Sequence, residues 1–279
     1  MPSRRLLLAT VSMAFWSFAA AAQAPAAQAP AAAANAPVTR AELPGLVKEI
    51  LMNDPGMIMQ AVQKLRDKQG EETGKQAQAA LEKHKSELFD DAASPSVGNA
   101  KTADVTMIEF FDYHCGYCKQ VFPAIAKLAG EDKKLRIVFR EFPILSEDSV
   151  MAARAALAVN HIAPGKYFQF YSALMKSNGE KFDEKMLMDT ARKLGINTAK
   201  LKTAMKDKSI DAELDKNRAL AEALGIRGTP GIIIGDHLFP GAIPYDDLRK
   251  IIHDIRTGKD KQAAPSPVAP AVPRAQTND

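Results

Sequence analysis

The chain of 279 residues contains two cysteines, Cys115 and Cys118, separated only by Gly116 and Tyr117. Two thiols at this spacing can form a redox couple, contribute to a metal site, or make a lone structural bridge. A bridge that closes so short a loop removes little entropy from the unfolded chain and stabilises the fold weakly. The pair therefore favours a redox couple over a structural disulfide.

A strand and a helix must position this pair. Residues 105–111 are rich in β-branched and aromatic side chains and predict a strand. The residues that follow Cys118 have the apolar spacing of a helix. Cys115 is then expected at the helix N-terminus, where free N–H groups and the helix dipole stabilise an attacking thiolate. Cys118, one turn later, is expected to be buried and to act as the resolving thiol.

A metal site is the main chemical alternative to the redox couple. His114 adjoins the pair, but structural zinc takes four ligands, and the other four histidines show no ligand spacing. We therefore expect neither a metal nor another cofactor. Because two thiolates suit Cu(I), a copper-binding protein that uses the same pair, with or without His114, remains an alternative function. A surface structural protein that acts through its oligomer is a third alternative.

The first 24 residues have the three parts of a secretory signal peptide. Arg4 and Arg5 precede an apolar stretch, and small residues then offer cleavage after Ala22 or Ala24. The apolar stretch is shorter than the roughly 20 residues that span a bilayer. We expect a cleaved signal and a location outside the cytosol, with an uncleaved N-terminal anchor as the alternative.

Two further segments have compositions typical of disorder. Residues 25–38 are rich in Ala, Pro and Gln, and residues 259–279 are rich in Pro and Ala. Neither segment has a hydrophobic period that can pack, so we expect a disordered linker and a disordered tail. The formal net charge is only +4, and basic residues are not clustered with aromatic ones. Nucleic acid is therefore not an expected partner.

Residues 39–90 predict helices that need a partner. Two short amphipathic helices, separated by a break at Asn53-Asp54-Pro55, are followed by a separate polar helix. Short amphipathic helices cannot bury their apolar faces alone. We therefore expect a homo-oligomer formed through residues 39–90. The alternative is a helical hairpin that packs on the chain's own main domain.

After an expected linker at 91–103, residues 104–258 predict one α/β domain. Four segments with strand composition lie in it: 105–111, 135–142, 231–235 and 237–239. A block of helices at about 146–208 separates the first two strands from the last two. This order indicates a single sheet whose two halves are separated by a helical insertion.

Three sequence segments carry a family resemblance. They are EFFDYHCGYC at 109–118, a proline within the following helix (Pro123), and GIRGTPGIIIGD at 225–236. Together they resemble the DsbA-like, thioredoxin-fold disulfide oxidoreductases of the bacterial periplasm. The segment LVKEILMNDPGMIMQAVQKL at 46–65 resembles the oligomerisation region of the ScsC-type branch. The resemblance implies an α/β thioredoxin fold with a helical insertion, preceded by an N-terminal helical oligomerisation region.

The same resemblance implies an activity and roles for the residues around the cysteines. It implies a periplasmic thiol-disulfide oxidoreductase that forms or isomerises disulfide bonds in secreted proteins. Cys115 matches the nucleophile and Cys118 the resolving cysteine. Gly116 and Tyr117 match the intervening pair that tunes the redox poise, and His114 is expected to shape the edge of the site.

Three more residues match functional positions of the family. Pro230 matches a cis-proline that presents backbone to an extended substrate, and Thr229 precedes it and contacts substrate. Glu109 matches a buried acid that takes the proton of Cys118 when this cysteine attacks. On their own residue types, Pro230 also fits an ordinary turn and Glu109 an exposed strand position. A carboxylate among apolar neighbours is, however, costly to bury without a partner or a task.

The chain also departs from the strong oxidases of the family. Those proteins carry Pro-His between the cysteines and Val before the cis-proline, whereas this chain has Gly116-Tyr117 and Thr229. That combination resembles the disulfide isomerases, so oxidase, isomerase and reductase activities all remain open. The implied partners are unfolded or misbridged secreted proteins and a membrane redox partner that recycles the cysteine pair.

Overall fold

The structure is a computed structural model that describes residues 38–177, 179 and 181–259. The predicted signal peptide at 1–24, nearly all of the linker at 25–38 and nearly all of the tail at 259–279 lie outside these residues. The chain divides into two compact units, Met1–Gln60 and Ala61–Asp279. No helix within the described residues is long and apolar enough to cross a membrane.

The described part of the first unit is helical and exposes apolar side chains. Helix α1 spans Leu43–Asn53, and α2 (Gly56–Lys83) begins after the break predicted at Asn53-Asp54-Pro55. The exposed apolar side chains of this unit include Leu43, Leu46, Val47, Ile50, Met52, Met57, Ile58 and Met59. The separate polar helix predicted after the second helix is wrong, because α2 continues without interruption to Lys83. The stretch contains Gly70 and Gly74 but no proline, and its Arg, Lys, Gln, Glu and Ala residues are good helix formers.

The second unit contains a five-stranded sheet. Its strands are β1 (Ser96–Val97), β2 (Val105–Phe111), β3 (Leu135–Glu141), β4 (Gly231–Ile234) and β5 (His237–Pro240). They are ordered β1-β3-β2-β4-β5, and the central pair β2–β3 is parallel while the other pairs are antiparallel. Both faces of β2 are covered: Met107 and Phe111 enter one core cluster, and Ile108 and Phe110 enter another. A strand buried on both faces reads as a continuous apolar run, as this one does.

Eight α-helices of the second unit follow the end of α2 among the described residues. They are α3 (Lys85–Phe89), α4 (Gly116–Glu131), α5 (Glu147–Ile162), α6 (Tyr167–Met175), α7 (Glu184–Lys193), α8 (Thr198–Ala204), α9 (Lys208–Ala223) and α10 (Tyr245–Arg256). Helices α5 to α8 fall in the predicted insertion. The Ser146 hydroxyl caps α5 by accepting a bond from Ser149 N at 3.1 Å, as expected for a serine before an acidic first turn.

The segment before the cysteine strand is more ordered than expected. The predicted linker at 91–103 contains β1, which pairs with β3. The C-terminal end of the region predicted to oligomerise packs on the chain's own sheet. Its residues Leu81 and Leu88 are buried together with Ile108 and Phe110, which lie on one face of β2. That face of the sheet is apolar and needs cover, which the C-terminal part of α2, α3 and α9 provide.

Arg140 on β3 connects this segment to the sheet. Its side chain is fully buried, and Nη1 donates to Asp91 Oδ2 at 3.1 Å and to Asn217 Oδ1 at 3.2 Å. Nη2 donates to the carbonyl oxygen of Leu88 at 3.1 Å. Lys216 Nζ also contacts Asp91 Oδ2, at 2.7 Å. The guanidinium therefore joins α3, Asp91 and α9 to strand β3.

We expect Arg140→Ala to lower the free energy of unfolding by about 3–5 kcal/mol, since it leaves buried acceptors unpaired. Lys216→Ala is the matched control, because it removes a cation from the same carboxylate at a partly exposed position and is expected to cost less than about 1 kcal/mol. Urea denaturation of both variants measures the difference. Equal losses would contradict the anchoring role of Arg140.

Candidate active site

The cysteine pair lies where β2 passes into α4. After Phe111 the chain makes a short loop, and Cys115 takes extended backbone angles as the N-cap of α4. Its sulfur accepts a bond from Cys118 N at 3.4 Å, as the side-chain oxygen of a serine N-cap does. Both cysteines are free thiols in this structure. The first helical turn therefore directs backbone N–H groups towards the Cys115 sulfur.

The loop before β4 lies against the same sulfur. The Cys115 thiol donates to the backbone oxygen of Thr229 at 3.2 Å, although the two residues are 114 positions apart in the sequence. The peptide bond between Thr229 and Pro230 is cis. Thr229 is partly exposed and Pro230 is buried. The structure therefore brings the predicted substrate-binding pair to the predicted nucleophile.

The two thiols differ strongly in their electrostatic environment. Hydrogen bonding with the Cys118 side chain is the largest cause that lowers the pKa of Cys115 to about 6, against the opposing effect of burial. A bond with the Thr229 side chain and backbone N–H groups add to this lowering. Burial, first of all, raises the pKa of Cys118 far above its usual value, and the nearby Cys115 and Glu109 raise it further. At neutral pH, Cys115 is therefore the thiolate and Cys118 the thiol.

Glu109 lies beneath the pair on β2 and is fully buried, which excludes the alternative of an exposed strand position. It lies on the same face of β2 as Met107 and Phe111. Tyr171 donates its hydroxyl to Oε2 at 2.9 Å, and Oε1 has no hydrogen-bond partner. Burial raises the pKa of Glu109 to about 8, although the Tyr171 bond opposes this rise and the charge of Cys115 adds to it. A carboxyl with this pKa can both hold and accept a proton near neutral pH.

The remaining predicted site residues lie at the edge of the site. The His114 ring packs 4.6 Å from the ring of Phe182, centroid to centroid, and is only partly exposed. Tyr117 is 43% exposed. Gly116 has open space where a Cβ would stand, so packing does not require glycine at this position.

Sequence reasoning missed two buried polar residues around the site, Tyr171 and Glu141. Tyr171 comes from α6, within the insertion, and no spacing in the sequence links it to Glu109. Glu141 is buried at the end of β3 and accepts bonds from Tyr113 at 2.9 Å and Tyr167 at 2.8 Å. Burial raises the pKa of Glu141 well above its usual range. Glu109 and Glu141 are both acidic residues in largely apolar strands. This sequence signal, which drew attention to Glu109, also marks Glu141.

Across the described part of the chain, no three His, Cys, Asp or Glu side chains come together as a metal site. The copper alternative needs only the two thiols, and it stays a prediction.

The structure thus brings together a cysteine at the N-cap of α4, a second, buried cysteine one turn later and a loop with a cis-proline. A model of the DSBA-like thioredoxin domain family matches residues 106–253. The chain belongs to this family, which confirms the predicted resemblance and the thioredoxin fold with its helical insertion.

Individual relatives agree with this assignment. The thiol-disulfide exchange protein α-DsbA2 from Wolbachia pipientis is 34% identical, with a TM-score of 0.60 over 64% of this chain and 95% of its own. ScsC from Proteus mirabilis, in a compact conformation, is 29% identical, with a TM-score of 0.58 over 80% of this chain and 98% of its own. Disulfide bond formation protein D from Bacillus subtilis is 25% identical over 166 residues, which are 56% of this chain and 75% of its own. Family membership supports thiol-disulfide oxidoreductase activity for this chain.

Proposed function

We propose that Cys115 and Cys118 are the redox pair of a periplasmic enzyme that forms or isomerises disulfide bonds in secreted proteins. The observation that carries the proposal is the asymmetry of the two thiols. Hydrogen bonding lowers the pKa of Cys115 to about 6, whereas Cys118 is completely buried one helical turn away. A thiolate at a helix N-terminus beside a second, protonated thiol is the arrangement that thiol-disulfide exchange requires.

In the reducing direction, the Cys115 thiolate attacks one sulfur of a substrate disulfide. A Cys115–substrate bond forms, the substrate disulfide breaks, and the other substrate sulfur leaves as a thiolate. Cys118 then passes its proton to Glu109 and attacks Cys115, which yields a Cys115–Cys118 disulfide and releases the second substrate thiolate. In the oxidising direction the same steps run in reverse, and a substrate dithiol takes the disulfide from the enzyme.

Glu109 suits this proton transfer because its pKa depends on the state of Cys115. The charge of Cys115 is one of the causes that raise the pKa of Glu109. When Cys115 enters a mixed disulfide, this charge disappears and the pKa of Glu109 falls. The carboxylate then becomes available at the step at which Cys118 must lose its proton.

Thr229 and Pro230 are proposed to hold the substrate. The backbone oxygen of Thr229 accepts a bond from the Cys115 thiol at 3.2 Å, so this loop lies directly beside the sulfur that would react. Pro230 lacks an N–H and β4 is paired with a strand on each side, so Thr229, which is partly exposed, is the residue proposed to contact an extended substrate segment. The expected substrates are unfolded or misbridged secreted proteins, and a membrane redox partner is expected to recycle the pair.

The N-terminal helices are proposed to form a homo-oligomer. The apolar side chains exposed on the first unit support this proposal, because apolar stripes on short helices are stable only when covered. ScsC of Proteus mirabilis aligns with 80% of this chain, a larger share than the domain at 106–253. An isomerase gains from several copies of the site around one misbridged substrate, whereas an oxidase has no such need.

We expect Ile50→Asp to convert the oligomer into a monomer, since it places a charge in the apolar stripe of α1. Lys48→Asp is the matched control, because it introduces the same side chain on the same helix at an exposed basic position and is expected to leave the oligomer intact. Light scattering coupled to gel filtration measures the mass of both variants. An oligomer that survives Ile50→Asp and the deletion of residues 38–60 would contradict assembly through this unit.

Two parallel assays separate the possible directions of the reaction. The mature protein is added to a scrambled multi-disulfide protein and, separately, to the same substrate in its reduced form. Recovery of the scrambled substrate means isomerisation, and oxidation of the reduced substrate without recovery of the scrambled one means disulfide donation. Failure in both assays would refute the proposed function.

A further inference from the structure

Asp112, between β2 and the cysteines, makes a cluster of hydrogen bonds that the proposed reaction does not use. The residue is 1% exposed. Its Oδ1 accepts from His114 N at 2.7 Å and from Ser149 Oγ at 2.7 Å. Its Oδ2 accepts from Ile144 N at 2.9 Å and from Leu145 N at 3.0 Å. One buried side chain therefore joins the cysteine loop, the segment after β3 and the first turn of α5.

The backbone of the same residue reaches both cysteines. Cys115 N donates to Asp112 O at 3.1 Å, and a backbone bond from Asp112 acts on the Cys118 thiol. The loop at 112–114 belongs to no helix or strand, so the regular backbone hydrogen bonds of a helix or a sheet do not hold it in place. Hydrogen bonds to a buried carboxylate are the strong contacts available here.

We propose that Asp112 is a positioning residue for thiol-disulfide exchange, which clamps the cysteine loop to residues 144–149 and so holds the Cys115 sulfur at its N-cap position. The inference rests on the proposed function. The hydrogen bond from Cys118 N to the Cys115 sulfur, at 3.4 Å, stabilises the thiolate only while the sulfur stays at this position. Because such bonds weaken steeply with misalignment, a loosened loop loses part of the stabilisation of the thiolate.

Asp112→Asn tests the clamp with almost no change in shape. An amide NH₂ group replaces one of the two carboxylate oxygens. Two of the four hydrogen-bond donors around Asp112 then face a group that donates hydrogen bonds and cannot accept theirs. Ser149→Ala is the second variant, which removes one of the four donors and leaves the carboxylate in place. The full-length reduced proteins are alkylated with iodoacetamide between pH 4 and pH 9, Cys115 labelling is followed by peptide mass, and thermal unfolding identifies the folded variants.

We expect the pH at which Cys115 alkylation reaches half of its maximal rate (the midpoint) to rise in Asp112→Asn. The alkylation rate at pH 6 is then expected to be about tenfold below that of the wild type. Ser149→Ala is expected to slow the same rate about twofold. The rate at pH 9 is not lower in either variant than in the wild type, because Cys115 is then nearly all thiolate and a thiolate of higher pKa is at least as nucleophilic. Unfolding would also raise the midpoint but would expose Cys118 as well, so a variant is counted only if thermal unfolding shows that it is folded and Cys118 stays unlabelled.

The sign of the change separates geometry from charge. The ionisable groups that face Cys115 are Glu109 from β2 and Cys118 from α4, and Glu141 faces Asp112 from β3. Loss of a negative charge alone lowers the midpoint of a nearby thiol. An unchanged or lowered midpoint in folded Asp112→Asn overturns the inference, and if that variant does not fold, an unchanged midpoint in Ser149→Ala does so. A wild-type midpoint near that of a free thiol would instead refute the proposed function.

Discussion

Cys115→Ser is expected to reduce exchange activity on the order of 10³-fold or more, because residues that act as one catalytic unit lose nearly all activity when the nucleophile is removed. A serine hydroxyl is not ionised near neutral pH and cannot form the mixed disulfide. The measurement is turnover of a scrambled disulfide substrate by the purified variant. Turnover near the wild-type rate would contradict the assignment of Cys115 as the attacking sulfur.

Cys118→Ser is the matched control for this substitution, since it makes the same atomic change three residues away. The variant keeps the nucleophile and loses the resolving thiol, so it is expected to accumulate covalent enzyme–substrate adducts. Intact mass under non-reducing conditions detects the adducts, and peptide mapping assigns them to Cys115. Adducts in the Cys115 variant, and none in the Cys118 variant, would reverse the two roles.

Glu109→Gln is expected to slow the release of substrate from the mixed disulfide about 10²-fold, the usual contribution of a positioned general base. The amide keeps the shape of the side chain but takes no proton. In the wild type, the release rate is expected to increase with pH as Glu109 becomes ionised, and this increase is lost in the variant. Rapid-quench measurement of the mixed disulfide across pH gives both quantities, and an unchanged rate and pH profile would exclude Glu109 as the base.

Tyr171→Phe is the control for Glu109, because it removes only the hydroxyl that donates to Oε2. That bond lowers the pKa of Glu109, so its loss is expected to move the pH profile of release upwards without abolishing the step. A profile that moves down, or does not move, would mean that the bond does not act on the base.

The same carboxyl also links stability to pH. Burial raises the folded-state pKa of Glu109 from 4.5 to about 8, so between these values the folded state binds the proton more tightly than the unfolded state. The stabilisation is complete below pH 4.5 and is lost as the pH rises to about 8. Glu109→Gln, which has no proton to lose, should show a smaller decrease in stability over this range.

The parts of the fold that local pattern determines were predictable. The strand predicted at 105–111 is β2, the N-cap of α4 is Cys115, and the break at Asn53-Asp54-Pro55 separates α1 from α2. Each of these predictions depends on side chains that are close together in the sequence, such as the β-branched and aromatic residues of β2. The roles proposed for the two cysteines rest on the same local argument, because a helix N-terminus acts on the residue at its cap.

The parts that depend on distant contacts were not predictable from pattern. The two-residue strand β1 is too short to show a period, and it exists because the edge of β3 accepts it. The position of Thr229 beside Cys115 came from the family resemblance and not from spacing, since the two residues are 114 positions apart. The sequence pattern did not indicate the hydrogen bonds of Tyr171 and Asp112, because most of their partners are distant in the sequence.

Selective alkylation of the wild-type cysteines across pH tests the central claim most directly. Reduced protein is exposed to iodoacetamide from pH 4 to pH 10, and each cysteine is quantified by peptide mass. We predict a midpoint near pH 6 for Cys115, and no reaction of Cys118 while the protein stays folded, since burial raises its pKa far above the normal range. Equal labelling of both cysteines with one midpoint near 9, the ordinary value for a thiol, would contradict the division of roles on which the proposed function depends.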